Sequence, residues 1–174
     1  MEFQKIAPGK FSLSYGLLLG FVMIIISVIS YVTGAALEGA KWPQFVYYII
    51  FAIVIFYAVS QYKKKNANTL SLGDALKVGV LIGVISALIA AVYNILFSYV
   101  IDPEFMDKAM EFAKEKMIED NPNMTQEIVD QSMSVMKVFF NPFVLSAFLI
   151  AMSALFGLIY SLIAGLIMKR DVNA

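Results

Sequence analysis

The residues that could do chemistry are concentrated between residues 102 and 141. This segment holds six of the ten methionines in the chain and most of its carboxylates. Thioethers can bind Cu(I), and paired carboxylates can bind a divalent cation or act as an acid and a base. The methionines are Met106, Met110, Met117, Met124, Met133 and Met136.

Each of these chemistries lacks the partner residues that it normally uses. The chain has no cysteine and no histidine, which excludes thiolate chemistry and the commonest ligand of copper and zinc. The carboxylates recur with helical spacing, as on a solvated helix face, and not in an Asp-rich calcium-binding loop. We therefore expect no metal site, no cofactor and no catalytic residue, and we predict that the protein is not an enzyme.

The strongest polar group within an apolar segment is Asn94, with Tyr93 and Ser98 close to it in the sequence. These three residues are a candidate polar site for a ligand. The alternative, which we favour, is that Asn94 forms a hydrogen bond between helices, as polar residues in membrane helices commonly do. No Asp, Glu, Lys or Arg interrupts the apolar segments, which argues against a proton-coupled pump.

Four long uncharged segments must position these side chains. Of the residues, 60% are hydrophobic and only 15% are charged, against about 25% charged in a typical soluble domain. Roughly 20 apolar residues make a helix long enough to cross a bilayer. We predict one membrane domain over residues 1–174, with spans at about 11–35, 43–62, 76–101 and 142–168. The first span is too long for the apolar region of a cleaved signal peptide, although Gly34-Ala35-Ala36 offers small residues for cleavage.

Residues 102–141 have the pattern of two amphipathic helices. Asp102-Pro103-Glu104 predicts the start of the first helix, and a turn at 120–123 separates it from a second helix capped by Asn123 or Thr125. The predicted fold is all-α: a four-transmembrane-helix bundle with an amphipathic helical hairpin between helices three and four. The apolar side of this hairpin is a candidate interaction face, formed by Phe105, Met106, Met110, Phe112, Met117, Met133 and Met136.

Small residues recur at intervals of four in three of the spans. This interval keeps them on one face of a helix, where they allow a neighbouring backbone to approach closely. The predicted packing glycines are Gly16, Gly20, Gly79, Gly83, Gly157 and Gly165. The same residues would also suit a pore lining or a homodimer interface. The similar surroundings of the first two pairs would suit a duplicated helix pair, as in transporters built from parallel repeats.

Charges are segregated between the two ends of the predicted bundle. The end that carries both termini and Lys63-Lys64-Lys65 has a net charge of +5, and the end that carries the hairpin has −5. Because lysine and arginine are retained in the cytoplasm, we expect both termini to be cytoplasmic and the hairpin to be outside. The lysine triplet is interpreted as a topology signal, with an anionic-lipid site as the alternative.

Three sequence stretches resemble a family of bacterial membrane proteins, the domain of unknown function numbered 4199. They are the glycine-bearing stretch Tyr15 to Phe21, the run Leu70 to Gly79, and Tyr99 to Phe105 with the charged helices after it. The resemblance covers roughly residues 11–170. It implies a multi-pass protein of the bacterial cytoplasmic (inner) membrane with no assigned activity and no catalytic residues to transfer.

Two functions follow from these patterns. The first is a non-enzymatic membrane protein that acts through protein or lipid contacts of its outer hairpin. The second is a small channel or transporter with a polar site near Asn94. The expected partners are the lipid bilayer, another membrane or periplasmic protein, or a second copy of the chain; a neutral chain without a basic stripe predicts no nucleic-acid binding.

Overall fold

The computed structural model describes residues 6–169, in which six α-helices and no strand are present. The prediction of an all-α fold is confirmed. The helices are α1 Pro8–Val32, α2 Trp42–Lys65, α3 Leu72–Leu96, α4 Phe105–Asp120, α5 Gln126–Phe139 and α6 Pro142–Met168. A π-helical segment, Phe97–Ile101, extends α3.

Four of these helices are long and apolar enough to cross a membrane. They are α1, α2, α6 and α3 with its π-helical extension, and their mean hydropathy lies between 1.8 and 2.5. At most 33% of the most apolar window of each helix is buried inside the protein. Most of the apolar surface therefore needs hydrocarbon around it, and the predicted four-transmembrane-helix bundle is confirmed.

Local sequence signals set the starts of two spanning helices. The Ser71 hydroxyl accepts a hydrogen bond from the Asp74 amide at 3.1 Å, so α3 begins at Leu72. The Asn141 side chain accepts hydrogen bonds from the amides of Phe143 and Val144, so α6 begins at Pro142. These caps satisfy amides that have no partner within the helix.

Helix α3 lies at the centre of the bundle and packs most closely on α6. A Cβ atom placed on Gly79 would lie 2.5 Å from the carbonyl oxygen of Gly157 and closer still to Ser161. A Cβ on Gly83 would collide with the backbone of Ser153 in the same way, and one on Gly165 would lie 2.9 Å from Ala75. On the other side of α3, Gly16 and Gly20 of α1 face Ile85 and Ile89. All six predicted packing glycines thus lie where a neighbouring helix approaches.

One end of the bundle, called here the terminal end, is filled by large side chains. Phe51, Ile55, Val59 and Tyr62 of α2 are fully buried there and in the adjoining middle of the bundle. The Tyr62 hydroxyl donates a hydrogen bond to the carbonyl oxygen of Ile6 at 2.8 Å, which fixes the chain just before α1. These side chains fill the interior between α2 and the helices beside it.

The opposite end, called here the hairpin end, carries the α1–α2 connection and the hairpin of α4 and α5. No residue of α4 is buried, and in α5 only Val129 is, with 2% of its surface exposed. The Lys108 ammonium forms an exposed ion pair with Glu104 at 3.0 Å. The hairpin therefore lies on the bundle with little burial to hold it there.

Candidate functional site

A cavity of about 290 Å³ opens at the hairpin end, between α1, α3, the start of α2 and the start of α6. Its polar lining consists of Ser27, Ser30, Tyr31, Tyr93 and Asn94. We call it the inner pocket. The rest of its wall is apolar and includes Met23, Ile26, Ala90, Phe97, Phe105, Met106, Leu145 and Leu149. Hydroxyls and one amide can thus act on a ligand surrounded by hydrocarbon-like walls, the usual character of small-molecule sites.

The predicted polar site is divided by the structure. Asn94 and Tyr93 line the inner pocket, whereas Ser98 does not. The Ser98 hydroxyl is buried in the π-helical segment and has no hydrogen-bond partner among the described residues. The Asn94 amide nitrogen donates to the Ser146 hydroxyl at 3.1 Å and to the Pro142 carbonyl at 3.3 Å, so the favoured interhelical hydrogen bond is present.

A second cavity, of about 470 Å³, lies beneath the hairpin, and we call it the hairpin groove. It is bounded by α4, by the end of α5 with the start of α6, and by residues 36–39 of the α1–α2 connection. Its charged lining is limited to Glu38 and Lys116. Phe105 and Met106 line both the hairpin groove and the inner pocket, so the two cavities adjoin at the first turn of α4.

The predicted interaction face is also divided between two places. Its seven residues are all half-buried. Phe105, Met106 and Phe112 line the hairpin groove, whereas Met110 and Met133 line a shallow cavity between α4 and α5. Met117 and Met136 line neither of these cavities. The apolar side of α4 therefore covers the bundle in part, and in part it lies against α5 within the hairpin.

The hairpin is attached to the bundle by contacts that the sequence patterns did not indicate. The Tyr31 hydroxyl donates a hydrogen bond to the Asp102 carboxylate at 2.9 Å. The Tyr31 ring lies edge-on to Phe97 and Phe105, with centroids 5.0 and 5.6 Å away. The prediction that Asp102 caps α4 is wrong, because α4 begins at Phe105 with Glu104 at its N-cap. Asp102 is instead used to bind α1.

A family model described as "Protein of unknown function (DUF4199)" matches residues 14–170. The chain belongs to this family. The match covers nearly the whole chain, from the glycines of α1 to the end of α6, as the resemblance implied. Neither a search of curated proteins nor one of solved structures found a match.

In the described part of this family member, the cavities could bind a ligand, but no group of side chains is arranged to coordinate a metal ion. Among residues 6–169, no three carboxylates cluster in a way that could hold a metal ion. The Glu104 carboxylate raises the pKa of Lys108 by accepting its hydrogen bond, so this lysine stays charged throughout the physiological range. Neither residue lines the inner pocket. Its polar lining consists of serines, tyrosines and Asn94, none of which is charged at neutral pH.

The Asn94 hydrogen bonds give a first testable prediction. We expect Asn94→Leu to destabilise the protein by about 1 kcal/mol. An interhelical hydrogen bond in a membrane protein usually contributes about 0.6–2 kcal/mol. Denaturation in mixed detergent micelles would measure it. Ser146→Ala should lower the free energy of unfolding less in the Asn94→Leu background than in the original protein. If the two losses were fully additive, the hydrogen bond between these residues would be contradicted.

Proposed function

We propose that this protein is a non-enzymatic membrane protein that binds an uncharged amphipathic lipid between its hairpin and its bundle. The observation that carries the proposal is the shared position of Phe105 and Met106, which line both cavities. A molecule that occupied both would place its apolar chain in the hairpin groove and its polar head in the inner pocket. The hairpin would then act as its cover.

The lining of the two cavities supports this division. The hairpin groove is apolar apart from Glu38 and Lys116, and an apolar chain gains free energy by leaving water for such a surface. The inner pocket offers hydroxyl groups and the Asn94 amide without a fixed charge. A charged head would lose its hydration there without an opposite charge to replace it, which favours an uncharged one.

The charge distribution supports an orientation in which this site faces the outer leaflet. Around the terminal end, six of the described cations accompany one carboxylate, Asp74; these cations are Lys10, Lys63, Lys64, Lys65, Lys77 and Lys169. Because lysine is retained in the cytoplasm, this distribution favours an orientation with both termini inside and the hairpin outside. The charges predicted for Glu2, Lys5, Arg170 and Asp171 lie outside the described residues. The bacterial cytoplasmic membrane remains the location that the family resemblance implies.

A channel or transporter is the weaker alternative. The inner pocket near Asn94 favours it, but Phe51, Ile55 and Val59, which do not line the pocket, are fully buried further towards the terminal end. A conducting path would require these side chains to move apart. We therefore place binding ahead of transport.

The experiment uses tryptophans as reporters of bound hydrocarbon. Trp42 is the sole tryptophan, so Trp42→Phe gives a silent background. Three single substitutions are then made in this background. Phe112→Trp is the groove reporter, and Ile118→Trp, on the exposed side of α4, is the water reporter. Phe148→Trp, on α6, is the bilayer reporter. Ile118 and Phe148 are both well exposed, at 44% and 49%. Phe148 belongs to a spanning helix and Ile118 to the hairpin, so they serve as reporters of hydrocarbon and water respectively.

Two quenchers with the same brominated chain then separate the two parts of the proposal. They are dibromostearyl alcohol, which is uncharged, and dibromostearate, which is charged at pH 8. We expect the alcohol to quench the groove reporter saturably, at a concentration about tenfold below that of the carboxylate, which corresponds to about 1.4 kcal/mol. Quenching of the groove reporter no greater than that of the water reporter would refute the hairpin groove as the site. Equal quenching by both probes would refute the uncharged head.

A further inference from the structure

Another cavity, of about 550 Å³, lies at the terminal end, where α1 begins and α2 ends. Two lysines from different helices line it: Lys10 from α1 and Lys65 from α2. The hydroxyl-bearing side chains of Ser14 and Tyr15 complete its polar lining, and no carboxylate of the described residues lines it. The cavity therefore has the charge and the donors of an anion site, unlike the inner pocket at the other end.

The helix ends that carry the two lysines are tied together by the surrounding chain. The Ile6 amide donates to the Asn66 side chain at 2.9 Å, and the Ile6 carbonyl accepts from Tyr62 at 2.8 Å. These two bonds tie the segment before α1 to the end of α2. The Lys65 ammonium lies over the Phe11 ring, 5.6 Å from its centroid, which holds it beside the cavity.

The position of the cavity along α1 also matches a lipid head group. Ser14 is exposed, and Leu18 lies one turn further along the same face with 55% of its surface exposed. Phe21 and Ile25 continue this exposed apolar face towards the hairpin end, at 60% and 56% exposed. A head group held at Lys10 and Lys65 would thus have its acyl chains against apolar surface.

We propose that this cavity binds the phosphate head group of an anionic phospholipid, with Lys10 and Lys65 as the paired cations. Each lysine carries a positive charge that a membrane-surface phosphate complements, and Ser14 and Tyr15 supply hydroxyl donors beside it. The site is independent of the uncharged lipid proposed above, because it lies at the other end of the bundle and selects the opposite kind of head group. With the termini in the cytoplasm, its ligand belongs to the cytoplasmic leaflet.

The test compares two charge-matched double variants of the full chain by native mass spectrometry in detergent, titrated with phosphatidylglycerol. Lys10→Gln with Lys65→Gln should weaken phosphatidylglycerol binding about tenfold. Lys64→Gln with Lys77→Gln removes the same charge at residues that do not line the cavity, and should change binding by less than about twofold. Lys10→Arg with Lys65→Arg should retain binding, which separates loss of charge from loss of structure.

Three outcomes would overturn the proposal. An equal loss in both glutamine pairs would mean that only the overall positive charge attracts the lipid. Equal binding of phosphatidylcholine would mean that no anionic head group is selected. Binding of inorganic phosphate as tightly as phosphatidylglycerol would identify a site for a free anion and not for a lipid. Thermal unfolding of each variant without lipid would show that all of them are folded.

Discussion

Gly79→Ala is expected to destabilise the bundle by about 2–3 kcal/mol, the upper part of the range for inserting a methyl group into a packed interior. The new Cβ would lie 2.5 Å from the Gly157 carbonyl oxygen and would overlap the Ser161 side chain. A backbone carbonyl cannot rotate away as a side chain can, so α3 and α6 must separate along their length. SDS denaturation of the protein in detergent micelles, followed by Trp42 fluorescence, would measure the loss.

The same substitution at Gly73 provides a control within the same helix. No heavy atom lies within 4 Å of a Cβ placed there. Alanine also has a higher intrinsic helix propensity than glycine, by about 1 kcal/mol in a helix interior. Gly73→Ala should therefore leave the stability unchanged or raise it slightly. If the two variants denatured at the same point, the close approach of α3 to α6 would be wrong.

The parts of the fold that could be predicted depend on short-range sequence signals. Hydropathy, helix length and the caps at Ser71 and Asn141 involve residues within a few positions of one another, and the structure agrees with them. The spacing of small residues likewise indicated which face of each helix packs. It did not indicate the partner of each face, because the contact between Gly79 and Ser161 depends on how two distant helices are placed.

The candidate site was only partly predictable for the same reason. Asn94 stood out because a strong polar group is rare in an apolar segment, and it lines the inner pocket. Ser27 and Ser30 were missed, since isolated serines are unremarkable in membrane helices. The bond between Tyr31 and Asp102 joins residues 71 positions apart, and the π-helical segment beside it has no sequence signature that we recognised. Asp102-Pro103 resembled an ordinary helix start, which concealed its contact with α1.

These long-range contacts make the start of α4 the point at which the hairpin is joined to the bundle. Phe105 contacts the rings of Tyr31 and Phe97, at 5.6 and 5.3 Å between centroids. The neighbouring π-helical segment ends at Ile101, and the amide of the next residue, Asp102, donates to the Phe97 carbonyl at 3.0 Å. Irregular helical turns of this kind are frequent at functional sites. A hairpin with little other burial can therefore open about this point without disturbing the glycine-packed part of the bundle.

Phe105→Ala is accordingly expected to release α4 while leaving the bundle folded. Each aromatic pair contributes about 0.5–1.5 kcal/mol beyond its buried area, so losing two should cost about 1–3 kcal/mol. That corresponds to about 5- to 150-fold more frequent opening. Hydrogen exchange of residues 105–120 in lipid nanodiscs should accelerate by this factor, while exchange in α3 and α6 should not change.

Phe112→Ala is the matched control for this prediction, because it makes the same truncation seven residues further along α4. Phe112 is also half-buried and lines the hairpin groove, but it makes no ring contact among the described residues. Its exchange rate in α4 should rise much less. If both variants accelerated exchange equally, α4 would be held by the burial of its apolar side chains in general. The ring contacts of Phe105 with Tyr31 and Phe97 would then make no separate contribution. If only Phe105→Ala did so, and if it also abolished saturable quenching by the brominated alcohol, then one ring would both attach the hairpin and close the lipid site.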